Sequence, residues 1–207
     1  MADDKFRIVA VDPGNNLGVA VLDYYFETKK FKVLDAYTLD LSRYIPNDDE
    51  TDKRDVSLKR LAELKRFLKR YLKVWQPDVG AHETAYVPHR GGGASIYSYA
   101  SLVENILAIK FSFIESASDA RIFEINPTVV KTTVVGYKSS DKSLILKALI
   151  ANKDVDLSAI DITKLNQHNS DAIAIGVTFV TQHVNVNMCD DRVSFNFRGK
   201  KNAGRKK

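Results

Sequence analysis

Three acids stand where short apolar runs end or begin. Asp12 closes Val9-Ala10-Val11-Asp12 ahead of a Pro13-Gly14 turn, Glu83 closes Asp78-Val79-Gly80-Ala81-His82-Glu83, and Asp171 opens Asp171-Ala172-Ile173-Ala174-Ile175. Carboxylates carried to one sheet edge repel one another unless a cation sits among them, and all-oxygen donor sets favour Mg²⁺ or Mn²⁺. Two such ions about 3.5–4 Å apart can clamp the attacking and leaving oxygens of a phosphodiester. His168 precedes Asp171 by three residues, so a helix would put both on one face, where an imidazole can ligate a metal or move a proton. Taken singly, each residue has a plainer role. Asp12 suits a turn, Glu83 a strand rim, Asp171 the positive end of a helix and His168 the surface. Only their joint placement points to phosphoryl chemistry.

The elements that must position these residues follow from periodicity. Residues 6–12, 17–23 and 31–41 are strand-like with short connections, which predicts an antiparallel meander. Residues 57–75 are helical, with Leu58, Leu61, Leu64, Leu68, Leu72 and Trp75 in one stripe and Pro77 beyond the end. Lys59, Arg60, Lys65, Arg66, Lys69, Arg70 and Lys73 fill its other faces, as a solvated surface or a DNA-contacting ridge. A fourth strand at 78–83, a helix at 95–116 and a fifth strand at 121–125 come next. Asn126-Pro127 reads as an N-cap followed by proline at the first helical position. Ser139 or Ser140 would cap a helix reaching about Asn152, and a last helix covers 169–183. The fold class is therefore α/β: a mixed five-stranded sheet, three antiparallel strands then two parallel ones, flanked by helices. With strand four parallel to strand one, Asp12 and Glu83 become neighbours.

The chain has 207 residues, 44% hydrophobic and 28% charged, which suits one folded domain over disorder. Residues 1–187 are assigned to it and 188–207 to a basic tail, in which residues 198–207 carry six Lys/Arg and no acid. The tail is either a solubilising end or a non-specific phosphate contact. A lone Cys189 excludes a disulfide framework and a Cys-rich zinc site. No start with an apolar h-region and no long apolar run is seen, so no membrane is expected and a cytoplasmic setting is.

The motifs then converge on one family. Ile8-Val9-Ala10-Val11-Asp12-Pro13-Gly14 resembles the first motif of the RuvC Holliday junction resolvases, and Glu83-Thr84-Ala85-Tyr86 is similar to their second. Residues 126–136, continuing to Ser140-Asp141-Lys142-Ser143, resemble the family's lysine-bearing segment, and His168-Asn169-Ser170-Asp171-Ala172-Ile173 its closing motif. The resemblance implies an RNase H-like fold, a homodimer, and Mg²⁺-dependent nicking of four-way DNA junctions in recombination and repair, with Mn²⁺ as a substitute. It makes Asp12, Glu83, His168 and Asp171 the metal-binding and catalytic set around two ions. Lys131 and Lys142 become DNA-binding or transition-state-stabilising lysines, and Tyr86 an aromatic that stacks on a junction base. Arg90, in Arg90-Gly91-Gly92-Gly93, falls where the family's DNA-facing loop begins. Three departures stand out: a turn after Asp12 about one residue shorter, the glycine-rich loop and the basic tail. A divergent member of this kind fits a bacterial cell or one infected by phage. Two rival readings are a junction-binding protein without catalysis and an actin-like phosphate-binding fold, for which the chain is too short.

Overall fold

The computed structural model describes residues 4–41, 53–85, 96–117, 119–137, 141 and 143–184. Three strands form the meander: β1 (Lys5–Asp12), β2 (Asn16–Tyr25) and β3 (Lys30–Asp40). Asp12 pairs with Gly18 at one end of the β1–β2 ladder and Lys5 with Tyr25 at the other. Helix α1 (Lys53–Trp75) returns the chain so that β4 (Val79–Glu83) lies beside β1 and parallel to it. Helix α2 (Ile96–Ser116) returns it again to β5 (Arg121–Ile125), parallel to β4. Three shorter helices follow: α3 (Pro127–Val135), α4 (Ser143–Ala151) and α5 (Gln167–His183).

The mixed, helix-flanked sheet matches expectation, with one addition. A two-residue strand, β6 (Val155–Asp156), pairs parallel with β3 and makes the order β5-β4-β1-β2-β3-β6. Two residues are too few to show a period of two. Only the tertiary fold, which brings the Asp154 carbonyl 2.8 Å from the Phe31 amide, creates the pairing.

Strand alternation divides the sheet into two faces. Val9, Val11, Val19 and Val21 pack with Leu64, Leu68 and Leu72 of α1 and Ile109 and Phe113 of α2. Ile8, Ala10, Ala20, Leu22, Val79 and Ala81 pack instead with Val130, Ile145 and the run 172–175 of α5. Asp12 continues the parity of Ile8 and Ala10, and Glu83 that of Val79 and Ala81. Both acids therefore belong to the α3–α5 face. Leu58 was expected in the apolar stripe of α1 but is 65% exposed. Ten residues at 3.6 per turn rotate it about 80° from Leu68.

Two helix starts differ from the sequence reading. Helix α4 begins at Ser143, whose amide donates to Asp141 Oδ1 at 2.9 Å. Ser139 and Ser140 lie outside the described residues. Helix α5 begins two residues earlier than expected because Asn166 caps it. The Asn166 side chain accepts from the His168 and Asn169 amides, while Asn169 Oδ1 accepts from the Asn166 amide. Asp171 thus stands a full turn into the helix rather than within its first turn. Asn126 caps α3 as expected, with Pro127 in the first turn.

Candidate active site

The site lies at the sheet edge where β1 and β4 end. Because Val11 pairs with His82, Asp12 and Glu83 leave adjacent parallel strands at the same level. Helix α5 crosses this edge with its first turn, and His168 Nδ1 stands 3.3 Å from Asp12 Oδ2. Asp171, one turn along the same face, faces both strand acids. Helix α3 supplies Lys131 from the side. Together these residues line a cleft of about 300 Å³ with Pro13, Gly14, Asp141 and Gln167.

Close backbone contact seats α5. A Cβ built on Gly18 would fall 2.0 Å from the His168 carbonyl oxygen. Only glycine lets the strand opposite Asp12 pass under this turn. From the other layer, the buried Asn105 of α2 donates Nδ2–H to the Gly14 carbonyl at 3.3 Å. The turn after Asp12 is thus tied to α2 through the sheet edge.

The electrostatics are those of crowded carboxylates. Burial first, then the Asp12 and Asp171 charges, push the Glu83 carboxyl up to about 8; Lys131 opposes the rise. Burial and Asp12 push Asp171 up to about 6, against a hydrogen bond from Gln167 and the charges of His168 and Lys131. Proton uptake is how crowded acids lower their repulsion when no cation is present. The donor set, three carboxylates and an imidazole, suits Mg²⁺ or Mn²⁺. Among the described residues, no three His, Cys, Asp or Glu side chains converge closely enough to hold an ion in this conformation.

All four acid-and-imidazole candidates and Lys131 therefore line one cleft. Tyr86, Arg90, Lys142 and the basic tail lie outside the described residues. Sequence reasoning missed Gln167, Asp141 and Gly18. The Asn166-x-x-Asn169 spacing was a signal that the helix starts early enough to include Gln167. Nothing local marked Gly18, whose role exists only once α5 is docked.

The comparisons agree with this architecture. No protein-family model matches the sequence. A crossover junction endodeoxyribonuclease RuvC from Prochlorococcus marinus subsp. pastoris is 24% identical over 172 residues, covering 78% of this chain and 97% of that protein. Among solved structures, Thermus thermophilus RuvC in complex with a Holliday junction substrate superposes with a TM-score of 0.64 at 16% identity. That match covers 84% of this chain and 93% of that one. This chain resembles RuvC in sequence over most of its length and in fold. A yeast mitochondrial Holliday junction resolvase, Ydc2, gives a TM-score of 0.59 at 16% identity, covering 90% of this chain and 84% of that one. The mixed, helix-flanked α/β fold expected from the sequence is thus the fold observed, and it is the fold of these RuvC structures, with the sixth short strand added.

Proposed function

We propose that this protein is a structure-selective DNA endonuclease that resolves four-way junctions by divalent-metal-dependent phosphodiester hydrolysis. One observation carries the reading: Asp12, Glu83, His168, Asp171 and Lys131, from four separate elements, line a single cleft at the sheet edge. Asp12, Glu83 and Asp171, with His168, would hold one or two Mg²⁺ or Mn²⁺ ions. When bound, the metal supplies charge stabilisation for the in-line displacement at phosphorus. His168, beside Asp12, is placed to orient or deprotonate the attacking water. Lys131 offsets the negative charge that accumulates on the phosphoryl oxygens. Lys142, Tyr86 and Arg90 take the DNA-contacting roles that the RuvC resemblance implies. The expected products carry a 5′-phosphate and a 3′-hydroxyl.

Cutting two strands of a junction calls for two sites, and a two-fold dimer supplies them. Helix α2 offers a surface for this. Leu107, Phe111 and Ile114 are 49%, 54% and 64% exposed at spacings of four and three, so they form one outward stripe. No described helix is long and apolar enough to cross a membrane.

The test is cleavage of a panel of linear, forked and four-way DNAs by the purified protein, with and without Mg²⁺. Metal-dependent paired nicks in the four-way substrate are expected. Asp12→Asn keeps the shape of the side chain but removes its charge. It should slow cleavage by at least about 10²-fold while junction binding persists. Near-normal cleavage by that variant at saturating Mg²⁺ would remove Asp12 from the chemistry.

A further inference from the structure

The charge of this chain is not spread evenly. Helix α1 has nine Lys/Arg against two Asp/Glu, a net +7, and residues 198–207 add +6. The whole chain is only +5, so everything else sums to −8. The principal basic element of the described fold is therefore α1, and it packs on the sheet face opposite the acidic cleft.

The rotation of α1 is fixed. Leu64, Leu68 and Leu72 are almost wholly buried against the sheet. At 3.6 residues per turn, Lys59, Arg66, Arg70 and Lys73 fall within a stripe about 60° wide on the opposite side of the helix. All four are exposed, as is the adjoining Lys69. Part of the helix charge is already used at home. Arg60 pairs with Glu104, Lys65 with Glu115 and Arg66 with Glu63, at 3.1, 2.8 and 2.5 Å. Lys69 also bears on Glu115, and with Arg70 and Lys73 it forms an exposed, outward cationic ridge. From Lys59 to Lys73 the stripe runs about 21 Å, the rise of about six base-pair steps. Its length and sign suit contact with a sugar-phosphate backbone.

We propose that the outer face of α1 is a second DNA-binding surface, which holds the backbone of a duplex arm that is not being cut. The acids of the cleft and the bases of α1 face opposite ways, so one straight duplex cannot touch both. A branched substrate can, by sending one arm past the sheet edge. Contacts of this kind position DNA without reading its sequence. Naming the ligand as an arm of the substrate rests on the proposed junction-resolving function; the binding itself does not.

The experiment uses the full chain carrying Asp12→Asn, so that DNA stays intact. Binding to a 30-bp duplex and to a four-way junction is measured by fluorescence anisotropy across a salt series. A triple variant, Lys69→Gln, Arg70→Gln and Lys73→Gln, is compared with its parent and with a charge-matched control, Lys29→Gln, Lys30→Gln and Lys153→Gln. The control residues are exposed and lie outside both α1 and the cleft. Each lost phosphate contact should lower the slope of log K against log salt by about 0.9, so up to about 2.7 is expected for the α1 triple. Little change is expected for the control. An unchanged slope in the α1 triple, or an equal loss in the control, would overturn the proposal and leave the ridge to an acidic protein partner. Failure of the unmutated protein to nick any branched DNA would instead sink the proposed function, while the slope comparison still decides the α1 surface.

Discussion

Replacing Gly18 by alanine should disable the site without touching any charged group in it. Gly18 pairs with Asp12 across the β1–β2 ladder and lies under the first turn of α5. The new Cβ would sit 2.0 Å from the His168 carbonyl oxygen, 2.4 Å from its carbon and 3.1 Å from the Asn169 nitrogen. Ordinary contact begins at 3.4 Å, so backbone must separate by about 1.4 Å. These atoms belong to a capped helix and cannot rotate aside as a side-chain tip would. The cheapest relief is to lift the N-terminus of α5, which carries His168 away from Asp12. A misplacement of about 1 Å at reacting groups can cost on the order of 10²-fold in rate, and overpacking costs about 1–3 kcal/mol of stability. Gly176→Ala, in the same helix, is the comparator. Its Cβ would meet the Leu22 Cδ1 methyl at 2.7 Å, a flexible end that can move. Single-turnover cleavage of a four-way junction, with thermal unfolding by circular dichroism, reads both effects. Gly18→Ala should lose about 10²-fold or more in rate while folded at the assay temperature, and Gly176→Ala much less. A folded Gly18→Ala protein cutting at the parent rate would refute the claim that this contact sets the site.

Three further outcomes are expected. Lys131→Met should slow cleavage by about 10²-fold with little change in junction affinity, because its charge acts on the crowded acids and on the phosphoryl group; a rate within about twofold of the parent would assign it to the surface. Without metal, stability should fall as pH rises. The Asp171 and Glu83 carboxyls lie above their ordinary 3.8 and 4.5, so the folded state retains protons that the unfolded chain releases. Their contribution is complete below about pH 4 and is lost through about 6 and then about 8. Added Mg²⁺ should therefore raise Tm more at pH 8 than at pH 5, and equal increments at both would contradict the crowding argument. Tyr86→Ala should slow cutting of an intact four-way junction more than of a branch already unpaired at its centre, since base stacking is worth about 1–3 kcal/mol; equal slowing of both substrates would contradict a stacking role.

Much of the frame was legible because it rests on local rules. Alternation in residues 6–12 placed Asp12 at a strand end, and a right-handed return through a leucine-striped helix put Glu83 beside it. The three-residue step from His168 to Asp171 put both on one helix face. What escaped was either non-local or hidden in polar capping. Strand β6 exists because β3 offers it a free edge. The start of α5 depended on a reciprocal Asn166–Asn169 cap, which a reading keyed to apolar periodicity passes over. Gly18 reads as an unremarkable glycine in a β-hairpin until α5 descends on it.

The same non-local logic joins the proposed dimer to the chemistry. Helix α2 carries the exposed Leu107, Phe111 and Ile114 on its outer side and the buried Asn105 on its inner side. Among the described residues, Asn105 has one side-chain hydrogen bond, to the carbonyl of Gly14, two residues past Asp12, and its Oδ1 is buried without a hydrogen-bond partner. A buried amide with one unmet acceptor costs free energy that apolar packing would not. Its presence at this point is accounted for by what it holds: the turn that fixes where the first carboxylate of the cleft can point. A second copy seated on the outer stripe would bear on the helix whose inner face holds that turn. Rigid seating of α2 and correct placement of Asp12 are then one mechanical requirement rather than two.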